Sequence, residues 1–471
     1  MRKTKIICTI GPVTESEAAI KSLIKGGMNL ARLNFSHGTH SQHAQVIRRV
    51  RQVANELGMV VGIVQDLCGP KLRVGHLVHS PMTLKRGSTV ILKGDSAEVA
   101  ENTIPVGSPE AIQLLDVGDK VLLDDGKLEL KVVRTGKDFV ECKVTRGGEL
   151  LQGKGVNLPS VRMKLPVLTP KDLADLAFGI KHNVDWVAMS FIRCADDVLQ
   201  LRAEMDKLGR RLPIIAKIEK PQAVDDLDRI IATADGVMVA RGDLGVEMPL
   251  ERVPIIQKQI IEKCSIAGKP VIVATQMLES MIHAGRPTRA EVSDIANAIL
   301  DGTDACMLSG ETAVGEYPFQ ALEVMDRVAR QTEKSLDYSL LLSQRAKLPC
   351  DTITDAISQA CGEVAYDLQV AAIVTSTASG HTAAMVSRLR PVAPLLAMTP
   401  DKQTLNRLTL WWGVIPILVR KTKDTDEMSR IVLQAAKDSG LLKSGDLIVL
   451  TAGVPAGIPG HTNLIKVETI A

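Results

Sequence analysis

Short apolar or β-branched runs alternate with longer amphipathic stretches through the first two thirds of the chain, and this alternation constrains the fold most strongly. Parallel strands joined by crossover helices produce such a pattern. Eight runs are predicted to be strands, and each except the third is followed by a helical stretch. They are residues 5–11, 30–36, 61–67, 184–192, 213–219, 236–244, 270–276 and 305–311. Eight such units predict a (β/α)8 barrel, whose reactive groups lie at the carboxyl ends of the strands.

The third strand is not followed directly by a helix, and residues 71–164 instead alternate between apolar and polar side chains. Leu128, Leu130 and Val132 are separated by charged residues, which predicts strands with one buried face. The sequence Asp-Asp-Gly at 124–126 predicts a hairpin turn between two of these strands. We call this β-rich insertion the lid, because on the loop side of the barrel it could close over a site and exclude water.

A polar stretch at 343–347, followed by Pro349, ends the barrel units. Further strands alternate with helices after it, and they are predicted near 370–377, 395–399, 414–419 and 446–452. The expected fold is therefore an α/β chain with three parts. They are a TIM barrel at 1–70 and 165–342, the lid at 71–164, and a C-terminal α/β domain at 350–471.

Composition excludes several classes of function. The net charge is only +3 and aromatic residues are 2% of the chain, so it has neither the field nor the stacking surface that nucleic acids require. The eight cysteines are scattered singly, which argues against a zinc site or a disulfide scaffold and predicts reduced cysteines. No apolar run suits a signal peptide or a membrane span. We therefore expect a cytoplasmic protein without nucleic-acid or membrane partners.

Polar side chains gather at the predicted carboxyl ends of the barrel strands. They are Arg32, Asn34, Ser36, Asp66, Lys217, Glu219, Arg241, Asp243, Thr275, Ser309 and Glu311. Ionisable groups in apolar strands are costly unless they bind something, so their convergence predicts one charged site. The alternative is a set of structural ion pairs.

The spacing of these groups indicates their chemistry. Lys217 and Glu219 are two apart on one predicted strand and share a face, and the segment 241–243 repeats the arrangement on the next strand, with a glycine that lets a ligand approach. Glu219 and Asp243 suit a hard divalent cation, Mg²⁺ or Mn²⁺. Positive charge from Arg32 and Lys217 beside it favours a phosphorylated or carboxylated anion and phosphoryl transfer.

The segments CTIGP at 8–12, RLNFSHG at 32–38 and KGVNLP at 154–159 resemble the pyruvate kinase family. Later segments agree, and they are VARGDLGVE at 239–247, ATQMLESM at 274–281, RPTRAE at 286–291 and MLSGET at 307–312. The resemblance covers essentially the whole chain in the same order. It implies the barrel, the lid and the C-terminal domain, and it suggests a homotetramer.

This resemblance implies transfer of the phosphoryl group of phosphoenolpyruvate to ADP, the last step of glycolysis. Enolpyruvate would form and then be protonated to pyruvate. Glu219 and Asp243 would hold the divalent cation that bridges the phosphate, the carboxylate and the enol oxygen. Lys217 would neutralise charge on the phosphoryl group in flight, and Arg32 would grip the same phosphate.

The resemblance also implies how the substrate carboxylate and the nucleotide are held. The backbone of Ala240, Arg241 and Gly242 would receive the carboxylate beside Asp243. Thr275 would help to hold it and would order the water that protonates the enolate, since threonine alone is a poor acid. A second metal would arrive on ADP. The implied nucleotide contacts are Arg32, His37 and Lys154.

One departure from the family pattern concerns the monovalent cation. Members that require K⁺ resemble one another in a glutamate where this chain has Lys71. A tethered ammonium near the other residues of that site would supply the charge of K⁺, so we expect a potassium-independent enzyme. The alternative is an exposed lysine at the lid hinge. The positions equivalent to the monovalent-cation site are Asn34, Ser36, Asp66, Leu67 and Lys71.

A loop at 375–382 between a predicted strand and helix would bring hydroxyl and N–H groups together as a phosphate cradle. The alternative is ordinary helix capping by Ser or Thr. In the family that the chain resembles, this loop binds an activator, and residues 454–460 lack the arginine of bisphosphate-binding members. We expect activation by a monophosphate, a sugar phosphate or AMP, and not by fructose 1,6-bisphosphate. The effector residues are Thr375, Ser376, Thr377, Ser379, Gly380 and Thr382.

Two rival functions are open to the same residues. A metal-dependent barrel aldolase or lyase acting on pyruvate also uses an acidic pair and an arginine. A non-catalytic protein that senses an effector is the other. Lys154 in the lid favours a nucleotide-dependent kinase, and every proposed catalytic position keeps a competent side chain.

Overall fold

The structure is a computed structural model that describes residues 1–94, 100–159, 161, 166–455 and 462–470. These residues form a closed barrel of eight strands and separate sheets of two, six and five strands. This arrangement confirms the predicted fold class. Among the described helices, none is both long and apolar enough to cross a bilayer.

The strands are distributed over the three parts of the chain, with β1 to β3 and β12 to β16 in the barrel, β4 to β11 in the lid and β17 to β21 in the C-terminal domain. In chain order they are β1 (Lys5–Thr9), β2 (Leu30–Asn34), β3 (Gly62–Asp66), β4 (Met82–Leu84), β5 (Thr89–Gly94), β6 (Thr103–Val106), β7 (Lys120–Leu123), β8 (Leu128–Thr135), β9 (Phe139–Arg146), β10 (Gly148–Leu150), β11 (Val156–Asn157), β12 (Trp186–Met189), β13 (Ile214–Ile218), β14 (Gly236–Ala240), β15 (Val271–Ala274), β16 (Ala305–Leu308), β17 (Ala372–Ser376), β18 (Leu395–Thr399), β19 (Val414–Leu418), β20 (Leu447–Ala452) and β21 (Leu464–Thr469).

Helices follow the barrel strands and flank the C-terminal sheet. In chain order they are α1 (Glu17–Lys25), α2 (His40–Glu56), α3 (Pro109–Gln113), α4 (Pro170–Lys181), α5 (Ala195–Lys207), α6 (Pro221–Asp225), α7 (Leu227–Thr233), α8 (Arg241–Glu247), α9 (Val253–Ile266), α10 (Arg289–Leu300), α11 (Gly310–Ala313), α12 (Pro318–Lys334), α13 (Tyr338–Arg345), α14 (Ile353–Asp367), α15 (His381–Arg388), α16 (Lys402–Arg407) and α17 (Thr425–Asp438). Short 3₁₀ helices lie at Leu250–Arg252, Glu279–Ile282 and Leu408–Leu410.

The barrel closes in chain order, from β1 through β2 and β3 to β12 to β16, and β16 returns to β1. All pairs are parallel, as in the pairing of Lys5 with Ala305. Side chains such as Ile7, Val64 and Met238 fill the inside, and the outward-facing set packs against the helices. Since the strands are buried on both faces, they read as continuous apolar runs, which explains why all eight were predictable.

Most barrel strands end earlier than predicted. The sixth was expected to run to residue 244, but β14 ends at Ala240 because α8 begins at Arg241. The prediction that Arg241 and Asp243 share one face of a strand is therefore wrong. The polar groups nevertheless lie at the carboxyl end of the barrel, which is the edge that faces the lid.

The lid has a hydrophobic core of its own, which includes Leu92, Leu123 and Val140. Strands β7 and β8 pair antiparallel around the predicted hairpin. The turn comprises residues 124–127, in which Asp124 and Asp125 have positive φ angles of 49° and 53° and Gly126 has a φ of 82°. The hairpin prediction is confirmed, and the turn carries two carboxylates towards the barrel.

The C-terminal sheet has the order β19-β18-β17-β20-β21. The four predicted strands are present and parallel, whereas β21 pairs antiparallel with β20 and was not predicted. Helix α13 extends to Arg345 and so covers part of the polar stretch expected to separate the domains. The exact domain boundaries stay predictions.

The C-terminal domain packs against the amino-terminal face of the barrel through buried polar contacts. Arg390 Nη1 lies 2.9 Å from Asp304 Oδ1, and both side chains are 6% exposed. Lys5 Nζ, also buried, donates to the carbonyl of Val414 at 2.6 Å. Burial, together with the nearby positive charge of Arg2, lowers the pKa of Lys5 to about 7.

Lys5 should make stability depend on alkaline pH. Its unfolded pKa is about 10.4, so between pH 7 and pH 10 the unfolded chain binds more protons and stability rises with pH. Below pH 7 both states are protonated and the full cost of burying the charge is present. We expect the advantage of Lys5→Met over the wild type to shrink by about 2 kcal/mol between pH 7 and pH 9.

Urea unfolding of both proteins at a series of pH values measures this difference. The hydrogen bond to Val414 is lost at every pH and so drops out of the comparison. Lys21→Met, which changes an exposed lysine of α1, is the matched control and should leave the pH dependence unchanged. A difference between Lys5→Met and the wild type that stays constant from pH 7 to pH 9 contradicts the prediction.

Candidate active site

A cavity of about 480 Å³ lies between the carboxyl ends of the barrel strands and the lid. We call it the catalytic cavity. It is mostly polar, and both the barrel and the lid contribute to it. Its predicted lining residues are Arg32, Asn34, Ser36, His37, Asp66, Lys71, Lys154, Lys217, Glu219 and Asp243. The structure therefore brings the predicted charged groups together in one place.

The floor of the cavity is a chain of alternating charges. Arg32 Nε donates to Asp66 Oδ2 at 2.7 Å. Lys217 Nζ lies 3.4 Å from Asp66 Oδ1 and 2.7 Å from Glu219 Oε1. The side chain of Glu219 is fully buried, and that of Lys217 is 10% exposed. Buried charges in contact hold one another in place, so these side chains are pre-positioned for a ligand.

The protonation equilibria follow from this contact. Burial raises the pKa of Glu219, and the negative charge of Asp243 raises it further against the opposing effect of Lys217. Burial also acts to lower the pKa of Lys217, but Asp66 and Glu219 outweigh it and raise that pKa. Lys217 thus stays an ammonium, and its positive charge opposes the protonation of Glu219.

The site fits a divalent cation at Glu219 and Asp243. Glu219 Oε2 accepts a hydrogen bond from the Phe191 N–H at 2.7 Å, and the buried Oε1 is paired with the Lys217 ammonium at 2.7 Å. A buried carboxylate that is oriented by its neighbours is a suitable metal ligand. The described residues contain no group of three or more acidic, His or Cys side chains that could hold a metal ion, so substrate or water oxygens would complete the coordination.

The side chain of Arg241 points away from the catalytic cavity. Its Nη1 pairs with Asp294 Oδ2 at 2.6 Å, and its Nη2 donates to the carbonyl of Thr275 at 2.9 Å. Helix α8 starts at this residue, so the arginine anchors the helix while Asp243, two residues further, faces the cavity. The predicted backbone contacts of Ala240, Arg241 and Gly242 fall at the first turn of this helix.

Thr275 sits beside the start of α8 in a strained conformation. Its φ is 68° and that of Gln276 is 54°, values that non-glycine residues adopt at an energetic cost. Thr275 Oγ1 accepts a hydrogen bond from the Gly242 N–H at 2.7 Å and donates to the carbonyl of Ala274 at 2.6 Å. It does not line the catalytic cavity directly, but it touches the helix that carries Asp243.

Two lysines reach the catalytic cavity from the lid. Lys154 Nζ lies 2.8 Å from Asp124 Oδ1 in the hairpin turn. Lys71 Nζ lies 3.2 Å from both Asp125 Oδ1 and Asp243 Oδ1. Lys71 is therefore neither an exposed hinge residue nor in contact with Asn34, Ser36 or Asp66, because its ammonium is paired with acids on both sides of the cleft.

Of the other positions equivalent to the monovalent-cation site, all except Leu67 line the catalytic cavity. Asn34, Ser36 and Asp66 line the catalytic cavity with Lys71. Asn34 Oδ1 accepts a hydrogen bond from the Ser36 N–H at 3.1 Å. Leu67 is buried and does not line the cavity, but its carbonyl accepts a hydrogen bond from Ser190 Oγ at 2.7 Å.

Sequence reasoning missed Ser190 and Arg73, which also line the catalytic cavity. Ser190 Oγ accepts a hydrogen bond from Lys217 Nζ at 2.7 Å and lies 3.3 Å from Asp66 Oδ1. The position of Ser190, directly after β12, would have revealed it, since polar residues at the other strand ends were singled out. Arg73 follows Lys71 by two residues and donates to the carbonyl of Gly153 at 2.9 Å.

The predicted effector loop lies in the C-terminal domain, far along the chain from the catalytic cavity. Gly380, with φ at 90°, is the N-cap of α15, and no side chain caps that helix, so the capping alternative is wrong. Thr377 Oγ1 instead accepts a hydrogen bond from the Gly380 N–H at 2.9 Å. Thr382 Oγ1 bonds Thr462 Oγ1 at 2.8 Å.

The remaining residues of the predicted effector site differ in how exposed they are, and part of the facing loop is not described. Thr375 is buried in the sheet, Ser376 is half-buried, and Ser379 is exposed. Residues 456–460 of the facing loop lie outside the described residues. The hydroxyls of the loop therefore do not all face one point, and Thr375 is the farthest from solvent.

A contact outside the catalytic cavity joins the lid to the helix that carries Asp243. Asn157 Nδ2 donates to Glu247 Oε1 at 2.7 Å, and Lys220 Nζ bonds the same oxygen at 2.5 Å. The side chain of Glu247 is only 2% exposed. Because Glu247 ends α8 and Asn157 ends β11, this contact fixes the helix relative to the lid.

Asn157→Leu should loosen α8 without touching the catalytic cavity. We expect kcat/KM to fall about tenfold and the Mn²⁺ affinity to fall severalfold, because Asp243 is then less well positioned. Steady-state kinetics and Mn²⁺ titration measure these effects. Asn102→Leu, at an exposed asparagine elsewhere in the lid, is the control. A loss of thermal stability alone, with kinetics and Mn²⁺ affinity unchanged, contradicts a positioning role.

Comparisons with known proteins agree with this geometry. Residues 1–322 match the family model described as pyruvate kinase, barrel domain, and residues 355–468 match pyruvate kinase, alpha/beta domain. The chain is 48% identical over 473 residues to the pyruvate kinase of Geobacillus stearothermophilus, in an alignment that covers all of this chain and 81% of that relative. It is 45% identical over 475 residues to that of Sporosarcina psychrophila, with the same coverage.

Solved structures give the same result. A crystal structure of a pyruvate kinase from Cryptosporidium parvum superimposes with a TM-score of 0.94 at 38% sequence identity, covering 100% of this chain and 96% of that one. The similarity extends over the barrel, the lid and the C-terminal domain together. This chain therefore belongs to the pyruvate kinase family.

Proposed function

We propose that the chain is a pyruvate kinase that transfers the phosphoryl group of phosphoenolpyruvate to ADP, giving pyruvate and ATP in the last step of glycolysis. One observation carries this proposal: a buried ammonium, Lys217, contacts Glu219 inside a cavity that also holds Arg32 and the lid cation Lys154. Phosphoryl transfer depends on such positioned positive charge more than on covalent chemistry. Family membership supports the same conclusion.

Lys217 and Arg32 are proposed to act on the phosphoryl group. Asp66 holds both cations from below, at 2.7 Å from Arg32 Nε and 3.4 Å from Lys217 Nζ. Charge spreads over the phosphoryl oxygens in the transition state, and cations fixed in advance stabilise it without reorganising. Lys217 is placed to contact the phosphoryl group during its transfer, and Arg32 is placed to orient that group.

Glu219 and Asp243 would hold the divalent cation, Mg²⁺ or Mn²⁺. When bound, this ion supplies positive charge that neutralises the oxygens of the substrate and polarises its enol oxygen. Glu219 contributes a buried carboxylate that also contacts Lys217, and Asp243 contributes a more accessible carboxylate. Lys71 is paired with Asp243 in this structure, so it would share that carboxylate with the cation.

The first turn of α8 is proposed to receive the carboxylate of the substrate through the backbone of Ala240, Arg241 and Gly242. Thr275 already accepts the Gly242 N–H, so its hydroxyl helps to set the position of that turn. The proton for the enolate would come from a water that Thr275 orders, because its own hydroxyl is too weak an acid.

The nucleotide is proposed to bind between the barrel and the lid, against Arg32, His37 and Lys154. These three residues line the catalytic cavity together with Arg73. A second metal would accompany ADP. The rival reading, an aldolase or lyase acting on pyruvate, gives no role to a cation presented by the lid.

We further propose that K⁺ is not required. The Lys71 ammonium lies between Asp243 and Asp125, where it provides a fixed positive charge next to the metal carboxylate. These two acids raise its pKa against the opposing effect of burial, so the group is charged at neutral pH. A fixed ammonium of this kind makes a bound monovalent cation unnecessary.

Regulation, assembly and location complete the proposal. A phosphorylated metabolite, a sugar monophosphate or AMP, is proposed to activate the enzyme at the loop formed by residues 375–382. The resemblance to the family supports a homotetramer in the cytoplasm. Titration of these metabolites at low phosphoenolpyruvate tests the first point, and activation by fructose 1,6-bisphosphate alone contradicts it.

The central experiment is ATP formation from phosphoenolpyruvate and ADP with Mg²⁺, in buffer free of Na⁺ and K⁺ and then with KCl added. We expect turnover without K⁺ and no more than about twofold activation by KCl. No ATP formation under either condition overturns the kinase function. Turnover that appears only with KCl leaves the kinase intact and overturns potassium independence.

A further inference from the structure

A second cavity, of about 360 Å³, lies between the amino-terminal face of the barrel and the C-terminal domain. We call it the junction cavity. The barrel contributes Trp186 at the start of β12 and Lys269 just before β15. The C-terminal domain contributes residues 379–381, which are part of the proposed effector loop at 375–382, and the residues Arg407 and Trp411. It is at the opposite end of the barrel from the catalytic cavity, so none of the groups proposed for catalysis lines it.

Arg407 is a half-buried cation of this cavity, and among the described residues its guanidinium makes no hydrogen bond or ion pair. The carboxylates of Asp185, Asp401 and Asp235 act on its charge only from beyond contact distance. Its Nε is buried and unpartnered. The neighbouring Arg390, by contrast, is paired with Asp304 at 2.9 Å. A desolvated charge without a partner is costly, so Arg407 is ready to bind an anion.

The remaining charges leave the junction cavity positive. Lys269 Nζ donates to the carbonyl of Ala234 at 2.7 Å, which satisfies one of its three protons. The only acid among the lining residues, Asp235, is taken up by Arg202 at 2.8 Å and by the Ile214 N–H at 2.9 Å. The described wall therefore offers two cations to a ligand and no free carboxylate.

Two of the three tryptophans of the chain also line the junction cavity. Trp186 is 3% exposed, and its indole N–H is buried without a hydrogen-bond partner in the described part of the chain. Trp411 is half-buried. Buried indole N–H groups normally find an acceptor, so an unpaired one indicates a missing partner. The indoles add flat apolar surface beside the cations.

We propose that the junction cavity binds a small aromatic anion, with its charged group on Arg407 and Lys269 and its ring against Trp186 and Trp411. The volume suits a ligand of that size, within the range of small-molecule sites. An acceptor atom on the ligand would also satisfy the Trp186 N–H. Because barrel and C-terminal residues both contribute, an occupant stabilises the packing of the two domains.

Isothermal titration of the full-length protein with phenyl phosphate tests the site, with inorganic phosphate and phenol as partial ligands. We expect phenyl phosphate to bind at least about tenfold more tightly than either, because each alone satisfies only the cations or only the indoles. Arg407→Met should weaken phenyl phosphate by about tenfold or more and leave turnover unchanged. Arg430→Met, at an exposed arginine of α17, is the matched control and should bind as the wild type does.

The catalytic cavity could also take up a phosphate ester, and Lys217→Met separates the two sites. Binding that survives in Lys217→Met and is lost in Arg407→Met supports the junction cavity. If Arg407→Met fails to fold, Trp411→Leu serves instead and should weaken phenyl phosphate but not inorganic phosphate. Equal phenyl phosphate affinity in the wild type and Arg407→Met, or affinity no greater than for inorganic phosphate, overturns the proposal.

Discussion

Replacing Lys217 by methionine should lower kcat by about a thousandfold or more, the range found when a cation that contacts the transferring phosphoryl group is removed. The ammonium is almost completely buried and lies 2.7 Å from Glu219 Oε1, so no other described side chain is placed to substitute for it there. Solvent cannot replace it either, because the position is screened from water. Phosphoenolpyruvate-dependent ATP formation measures the loss.

The same variant distinguishes a chemical role from a structural one. Lys217 competes with a metal for Glu219, so Mn²⁺ affinity should be kept or increased in Lys217→Met while turnover is lost. Lys207→Met, at an exposed lysine of α5, controls for the substitution itself. Loss of Mn²⁺ binding and of the thermal transition together would indicate collapse of the buried charges. Turnover within tenfold of the wild type contradicts the assigned role.

Exchanging Lys71 for glutamate should make the enzyme depend on K⁺. The wild-type ammonium is 3.2 Å from both Asp243 and Asp125, so a carboxylate there would place three negative groups around the metal position. Like charges at this distance repel strongly in a partly desolvated site. We expect a rate reduced by about ten- to a hundredfold in K⁺-free buffer, of which most is restored by KCl.

The control is Lys85→Glu, which makes the same charge change at an exposed position of the lid. It should respond to KCl as the wild type does. Comparison of KCl with NaCl separates a specific cation site from general screening, which both salts provide equally. If KCl fails to restore Lys71→Glu, or NaCl restores it equally well, Lys71 does not stand in for a bound potassium ion.

The barrel was predictable because its strands are buried on both faces and each except the third is followed directly by a helix. The residues at which the strands end were less predictable. The segment from Arg241 reads as a continuation of β14, yet Arg241 finds Asp294 at 2.6 Å and the chain turns into α8. A sequence pattern does not show that long-range ion pair. β21 was missed because it is a half-exposed edge strand whose sequence includes the charged residues Lys466 and Glu468.

The residues that line the catalytic cavity were largely predictable from the sequence, whereas the ion pairs between them were not. Arg32, Asp66, Lys217, Glu219 and Asp243 meet because the carboxyl ends of parallel strands converge. Which acid each cation contacts depends on the tertiary structure, which places Lys154 beside Asp124 and Lys71 between Asp125 and Asp243. The sequence marked the two aspartates of the hairpin turn only as turn residues.

Because the lid has a hydrophobic core of its own, it can unfold separately from the barrel. Because Leu92, Leu123 and Val140 pack within the lid, its unfolding need not disturb the packing between the barrel strands and their helices. Partial unfolding then becomes possible at a lower free energy than loss of the whole structure. Heat that unfolds only the lid would therefore inactivate the enzyme reversibly. The barrel that positions Lys217 would stay folded, and activity would return when the lid refolds.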